Sequence, residues 1–560
     1  MTWLQNVNKQ TNKVIPLNDL NESNVKKLNE FWGDLQGNIL KGHGRNKALM
    51  FFLKFNENEM PLVKEKIREF SKEITSFKIQ LEESKHYRSH RIPGSTFVNF
   101  FLTAKGYQAL GYSKGELEKC HFDECFLEGM KKEFMQETLY DPHPKENWDG
   151  QYWDKDRQDI KEIHALLLVA DDDEGNLGIS TGRFFKEVLE IQSDKKLVEI
   201  VAVERADQLR NKYGEAVEHF GYRDGISNPL FLESDKEKIE EYGGRNHWDP
   251  LAPLDLVLCP DPFGNFGDFS CGSYLVYRKY EQNVKKFETL IHNLAMDLGL
   301  DTRSEEDLEK AHALVMGRFR DGTPLAVKDE SRRYYNENIN NFTYDDDPSG
   351  SKCPFHAHIR KVNPRTGDGV PRIVRRGMTY GERTNYQTPS ENLSTMPTQG
   401  VGLLFMSFQK CIEEQFVRLQ KDFSNNPDGS QKETQKNSGT DSIIGQEKLI
   451  PCTVCNQKGT MKNGDICQIC VGKGGTEPPE QPKKWPLEWG TSKHIYSIEM
   501  RNCITLKGGE FFFAPSISFL RNIGLNKKPS LKEKTNTNSK KLKIQVTNSK
   551  TQTQKTRASH

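Results

Sequence analysis

Apolar positions along this chain come in short continuous runs, separated by stretches whose apolar residues recur every three or four positions. Residues 48–55 (Ala-Leu-Met-Phe-Phe-Leu-Lys-Phe) predict a strand, 60–75 a polar helix and 95–103 a second strand. A buried-looking strand at 163–170 precedes a helical stretch at about 181–191, and 197–204 predicts another strand. The same succession returns after 270, with a strand at 272–280, a helix to about 298, a strand at 402–408 and a helix at 412–423. The pattern is a mixed α+β arrangement laid down twice.

A chain of 560 residues exceeds one compact core, so two packed halves plus appendages are expected. Charge is nearly balanced, 80 Lys and Arg against 79 Asp and Glu, but it is unevenly spread. The segment 526–560 has Lys527, Lys528, Lys532, Lys534, Lys540, Lys541, Lys543, Lys550, Lys555 and Arg557 against Glu533 alone. It is rich in Thr, Asn and Ser and poor in apolar residues. It is therefore expected to be a disordered basic tail, solubilising in effect, with at most weak contact to nucleic acid or another polyanion. No apolar run is long enough to span a bilayer, and the first ten residues lack a charged segment followed by an apolar core; a cytoplasmic protein is expected. Seven scattered cysteines suit reduced thiols better than a disulfide framework.

The candidate chemistry lies in two distant stretches. One is His-Phe-Gly-Tyr-Arg-Asp-Gly at 219–225; the other is Cys-Pro-Phe-His-Ala-His-Ile-Arg-Lys-Val-Asn-Pro-Arg at 353–365, followed by Arg375, Arg376 and Gly377. Together they offer a carboxylate, an imidazole and a guanidinium. A haem peroxidase needs one of each: a ligand below the iron, and above it a proton acceptor and a fixed cation.

With these motifs the chain resembles the DyP-type (dye-decolorizing) haem peroxidases. The resemblance also takes in Leu-Gln-Gly-Asn-Ile-Leu-Lys-Gly-His-Gly-Arg at 35–45, Gly-Thr-Asp-Ser-Ile-Ile-Gly-Gln at 439–446 and Gly-Gly-Glu-Phe-Phe-Phe-Ala-Pro-Ser-Ile-Ser-Phe-Leu at 508–520, in the family's order. It implies a duplicated ferredoxin-like α+β fold of the dimeric α+β barrel type, with antiparallel sheets facing each other. Periodicity alone permits that fold without establishing it, because strand order and handedness do not show in one sequence. The expected division is an extension at 1–30, a first half at 31–250 and a haem-binding second half at 251–525, with the junction near 230–270.

The resemblance also implies roles. One haem b per chain would be held by His358, with His356 as the fallback ligand. Asp441 would accept the other N–H of that imidazole; a plain turn residue after Gly439 is the competing reading. Asp224 would be the distal acid and base, and Arg375 the distal arginine, with Arg376 pointing elsewhere. An ordinary aspartate titrates near pH ~4, so such a base predicts an acidic optimum unless burial intervenes. Gly225, Ile226, Ser227, Asn363, Pro364 and Arg365 correspond to haem-contacting positions, and Arg365 and Arg318 could pair with propionates. Phe511, Phe512 and Phe513 would line the distal face or simply fill the core. The substrates implied are hydrogen peroxide and phenolic, dye-like or other bulky organic donors oxidised one electron at a time. A homo-oligomer is compatible with this reading.

One segment falls outside the resemblance. Cys452, Cys455, Cys467 and Cys470 form two Cys-x-x-Cys knuckles eleven residues apart, the spacing of a tetrahedral Cys₄ site, and zinc is the expected structural metal. The surroundings resemble half of the cysteine-rich zinc domain of DnaJ-type co-chaperones. This predicts a zinc-binding insertion at 447–482 that staples a loop or binds a protein partner. Two other readings compete with catalysis: a haem-binding or haem-iron-handling protein, and an adaptor working through the zinc module. Storage would need neither Asp224 nor Arg375, which favours the enzyme.

Overall fold

The computed structural model describes residues 29–525, apart from 142–143, 189–195, 233–234, 236–238, 241–242, 266–269, 332–339, 366–368, 384–391, 429–437, 449, 455–474, 477–478 and 480. The expected N-terminal extension (save its last two residues), the basic tail and Cys455, Cys467 and Cys470 lie outside the described residues.

The first set of elements is β1 (Lys47–Phe55), α1 (Met60–Phe70), α2 (Phe77–His90), β2 (Phe97–Leu102), β3 (Ala165–Asp171), α3 (Glu174–Arg183) and β4 (Val198–Asp207). The second is β5 (Cys271–Gln282), α4 (Val284–Asp297), α5 (Glu305–Met316), α6 (His358–Val362), β6 (Val374–Arg375), β7 (Met378–Tyr380), β8 (Gly402–Gln409) and β9 (Ile504–Ala514). The strands join in the order β7-β8-β5-β9-β2-β3-β1-β4, all antiparallel. Within each set, counting β6 and β7 as one interrupted strand along β8, the second strand pairs with the third, the third with the first and the first with the fourth. This is the ferredoxin-like order written twice.

The two sheets meet at both ends. Phe513 of β9 pairs with Leu102 of β2. At the other end Thr379 of β7 donates its hydroxyl to the Asp207 carbonyl at 2.5 Å and accepts the Leu209 N–H at 2.8 Å, so β7 lies against β4 and the sheet closes into a barrel. Closure explains why β1 and β3 are apolar runs rather than alternating strands: one face points into the barrel and the other lies under helices. Inside, Phe52 of the first half packs on Tyr277 and Phe512 of the second, with ring centroids 4.9 and 6.2 Å apart. A buried Lys279 ammonium crosses the same seam, 2.8 Å from Glu204 and 2.8 Å from Asp149.

Several elements depart from the sequence expectation. The helix expected at about 181–191 begins at Glu174, because Asp173 caps it by accepting the Asn176 N–H at 2.8 Å. α1 stops at Phe70, and the segment expected as a helix at 412–423 is wound as π-helix over Ile412–Val417 and Leu419–Ser424. Helices α2 and α5, absent from the expected elements, start at the caps Ser76 and Ser304. A second core around Phe287, Ile291 and Leu294 of α4, Val315 of α5 and Trp485 backs the cavity described next.

Candidate active site

The 353–365 stretch builds one wall of a large cavity. Ala357 donates its N–H to the Pro354 carbonyl at 3.1 Å, and one turn of helix, α6, begins at His358. Arg360 holds this loop from behind, donating to Asp347 at 2.6 Å while its guanidinium lies over the rings of Tyr344 and Phe355. The His358 side chain is 20% exposed, and its Nδ1 lies 2.9 Å from Oδ2 of the fully buried Asp441. The other oxygen of Asp441 accepts the Ile443 and Ile444 N–H groups at 2.8 and 3.0 Å. Burial works to raise the Asp441 pKa, but the His358 charge and hydrogen bond, with those backbone donors, hold it below the ordinary carboxylate range. In the neutral form of His358, an ionised Asp441 keeps the ring proton on Nδ1 and leaves the lone pair on Nε2.

His356 is differently committed. Its Nδ1 is 3.1 Å from the Ser442 hydroxyl, its Nε2 3.1 Å from the Lys484 carbonyl, and its ring stands edge-on to Trp485. Burial, and then Lys483, push its pKa down to about 3, so it is a neutral core histidine with both nitrogens engaged. It does not line the cavity.

The opposite wall carries Asp224. A short hairpin pairs Val217 with Arg223, and Asp224 N–H donates to the Ala216 carbonyl at 3.1 Å. Glu218 caps the turn by accepting the Phe220 and Tyr222 N–H groups at 2.9 and 3.0 Å. Gly225 follows at φ +81° and donates its N–H to Asp224 Oδ1 at 2.6 Å; a side chain at that φ would be strained. Arg375 enters from β6, which pairs with β8 through Ser407. Its Nη1 lies 3.6 Å from Asp224 Oδ1, and its Nη2 donates to the Ile226 carbonyl at 3.3 Å.

Two further arginines converge beside the cavity. Arg318 and Arg365 both donate to Ser227 Oγ, at 3.2 and 3.0 Å, and to Asn340 Oδ1, at 3.0 and 2.5 Å. Arg365 also stacks on Trp248 and Phe342. Burial pushes Arg318 down to about 10, with Arg375 and Arg223 lowering it further, and burial and then Arg318 push Arg365 down to about 9. Arg365 Nε and Asn340 Nδ2 are buried without a hydrogen-bond partner among the described residues. Excess buried positive charge with an unused donor suits an anionic group at this end of the cavity.

The cavity with its open mouth holds about 1730 Å³ of empty space. Of the expected site residues, Asp224, Ile226, Ser227, Arg318, His358, Asn363 and Arg375 line it. Gly225, Pro364, Arg365 and Asp441 do not; Asp441 stands behind His358, and Arg365 behind Ser227. Phe511, Phe512 and Phe513 are not in its wall either. They are core residues of β9, where Phe512 meets Phe52 and Phe513 meets Tyr274, so of the two alternatives it is packing that they serve. Apolar residues including Met316, Phe319, Val362, Leu403, Phe405 and Leu419 make up most of the remaining wall. Sequence reasoning passed over Glu218, Asn228 and Asn340. Asn228 follows directly on the quoted Gly-Ile-Ser and could have been read with it; Asn340 falls in a polar stretch with no periodic signal. A separate group, Glu57, Glu162 and His164, has metal-like proximity on the first half. His164 Nδ1 accepts the Phe55 N–H at 3.0 Å, so Nε2 carries the proton it shares with Glu162, and no lone pair is left for an ion.

A closed double α+β barrel, with a carboxylate-backed imidazole, a carboxylate and a guanidinium around one cavity, has the groups that peroxide chemistry requires. The Dyp-type peroxidase C-terminal family model matches residues 217–440, and the DyP dimeric alpha+beta barrel domain model matches 34–196. The multifunctional dye peroxidase DyP2 of Amycolatopsis sp. is 35% identical over 508 residues, covering 88% of this chain and 95% of that protein. The dye-decolorizing peroxidase msp1 of Mycetinis scorodonius is 28% identical, covering 88% and 87%. Among solved structures, the Anabaena sp. DyP-type peroxidase superposes with a TM-score of 0.73 at 37% identity, covering 90% of this chain and 96% of that one. The chain belongs to the DyP-type peroxidase family. It is a haem-dependent peroxidase, an oxidoreductase acting on peroxide. Among the described residues, no helix is long and apolar enough to cross a membrane.

Proposed function

We propose that this chain holds one haem b between His358 and the Asp224–Arg375 pair, and uses hydrogen peroxide to oxidise phenolic, dye-like or other bulky organic donors by single electrons. The observation that carries the reading is the His358–Asp441 pair facing a cavity whose wall also presents Asp224 and Arg375. His358 Nε2 would bind the iron, and the hydrogen bond from Nδ1 to Asp441 would fix the ring and raise its basicity. Arg318, backed by Arg365, would meet the propionates. Bound there, haem would supply the redox-active iron at which peroxide reacts. Asp224 would take the proton from the peroxide oxygen nearer the metal and return it to the outer oxygen, which leaves as water. The Arg375 guanidinium would offset the negative charge that grows as the O–O bond breaks.

Absorption spectra of the haem-reconstituted protein, before and after one equivalent of peroxide, test these roles. His358→Ala is expected to lose the ligand-bound ferric spectrum. Asp224→Asn and Arg375→Leu are expected to keep it while reacting with peroxide on the order of 10²-fold more slowly in one or both. Wild-type rates in both distal variants would contradict the assignment.

We also propose that Cys452, Cys455, Cys467 and Cys470 hold one structural zinc. Beyond the spacing, support comes from the antiparallel pairing of Ile450–Pro451 with Gly475–Thr476, which brings the two ends of the cysteine-bearing segment together. Metal analysis should find one zinc per chain, lost in Cys452→Ser; a zinc-free wild type would refute it.

A further inference from the structure

Two features have no part in the site so far. The motif at 35–45 contributes nothing to the cavity wall, and Arg376, next to the distal arginine, turns away from the cavity. They meet each other. Arg376 donates from Nε to the Asn38 carbonyl at 2.7 Å, from Nη2 to the Ile39 carbonyl at 3.1 Å, and from Nη1 to the carbonyl of Arg375 itself at 2.9 Å. The loop offering those carbonyls is held on all sides. Asn38, at φ +70°, donates its N–H to Gln80 Oε1 at 3.0 Å and accepts the His43 N–H on Oδ1 at 3.2 Å. Gln80 Nε2 in turn donates to the Lys41 and Gly42 carbonyls, both at 2.9 Å.

A second contact comes from Asn228, four residues past Asp224 in the same segment. Its Oδ1 accepts the Arg375 N–H at 3.1 Å and its Nδ2 donates to the Arg375 carbonyl at 3.3 Å, so the side chain pairs with that backbone as a neighbouring strand would. That pairing braces the edge of β6 away from β8: β6 is only two residues long, with ladder partners Phe408 and Ser407, and just beyond it the Arg376 N–H donates to the Met406 carbonyl at 2.7 Å. Gly377, which follows, adds no side chain to restrain it.

We propose that Asn228 and Arg376 are positioning residues that fix the Arg375 guanidinium relative to Asp224, with Arg376 carrying the rigid 36–43 loop of the first half into the site. The inference rests on the role given to Arg375 above. It accounts for an arginine pair in which only the first member faces the cavity, and for a first-half motif with no chemistry of its own. A planar fork that reaches three carbonyls at once is a geometry lysine cannot reproduce. A reacting group displaced by about 1 Å loses on the order of 10² in rate.

The test is stopped-flow measurement of the second-order rate constant for hydrogen peroxide, using the full haem-reconstituted chain. The proteins are wild type, Asn228→Ala, Arg376→Lys, Arg375→Leu, and each of the first two variants combined with Arg375→Leu. Each positioning variant is expected to lower the peroxide rate constant about tenfold or more, with the apparent KM for a phenolic donor within about twofold of wild type. In the Arg375→Leu background each should cost less than about twofold further, because its effect passes through a side chain already removed. An equal fold-loss in both backgrounds would show a general structural role and overturn the proposal. So would wild-type peroxide rates in Asn228→Ala and Arg376→Lys while Arg375→Leu is slow, an outcome that leaves the role of Arg375 standing. A wild-type rate in Arg375→Leu itself would instead remove that role and the brace with it. Should Arg376→Lys fail to bind haem, Asn228→Ala decides alone.

Discussion

One buried carboxylate decides what His358 can do. Asp441 is shut away from water, accepts two backbone N–H groups on one oxygen and faces the imidazole with the other. A neutral amide there could keep the hydrogen bond but not the charge. Asp441→Asn is therefore expected to weaken haem retention and peroxide turnover by roughly 10- to 100-fold, read by haem titration and by the peroxide rate constant. An effect below about twofold on both would reduce Asp441 to a turn residue. The sequence could not settle that choice, because Gly-Thr-Asp reads equally well as a turn; the 2.9 Å contact spans 83 residues of chain. Telling His358 from His356 is a similar problem. Two positions apart, they differ in that the ring of His356 spends both nitrogens on Ser442 and Lys484, whereas His358 opens to the cavity, and nothing in the local pattern separates those environments.

At the scale of elements, the strands were more legible than the helices. Runs such as Ala-Leu-Leu-Leu-Val-Ala-Asp in β3 announce a strand because both of its faces are buried. α2 was hidden because its burial is confined to Phe77, Gln80 and Leu81 at its N-terminal end; the Ser76 cap, not a stripe, starts it. The seam between the sheets carries a device that no local pattern reveals. Lys279 of β5 lies between Glu204 of β4 and Asp149, and Tyr152 donates its hydroxyl to the same Glu204 at 2.9 Å. Removing one partner leaves a buried charge uncompensated. Lys279→Met should cost about 3–5 kcal/mol of unfolding free energy. The double variant Lys279→Met/Glu204→Gln should recover part of that loss, as read by denaturant titration. No recovery in the double variant would mean the cluster matters through packing alone.

For the whole molecule, buried ionisable groups predict how stability responds to acid. Burial, and then Arg45 and Arg376, push His43 down to about 3, and burial pushes His219 down to about 4 despite its bond to the Tyr380 carbonyl. A histidine with a depressed folded pKa favours the fold while it is neutral. That contribution is complete above its unfolded value near pH ~6.5 and is lost as pH falls toward the folded value. Asp34 has the opposite sign. Burial raises it to about 6, so its contribution is complete below the ordinary carboxylate range near pH ~4 and is lost as pH rises through about 6. Melting temperatures from pH 4 to 7 should therefore fall less steeply toward acid in His219→Gln than in wild type, and more steeply in Asp34→Asn. Parallel profiles for all three proteins would contradict the burial assigned to these groups.

The duplication itself emerged from the sequence only as a repeated succession of elements. The strand order that makes each half ferredoxin-like, and the closure of β7 on β4 through Thr379, depend on contacts across the molecule that no local signal encodes. That closure sets the Asp224 loop, β6 and α6 around a common space. A crystal structure of the haem-reconstituted protein tests the central claim most directly. The account predicts iron bound to Nε2 of His358, with Asp224 and Arg375 on the opposite face of the porphyrin. Iron bound by any other side chain, or Asp224 and His358 on the same face, would contradict it.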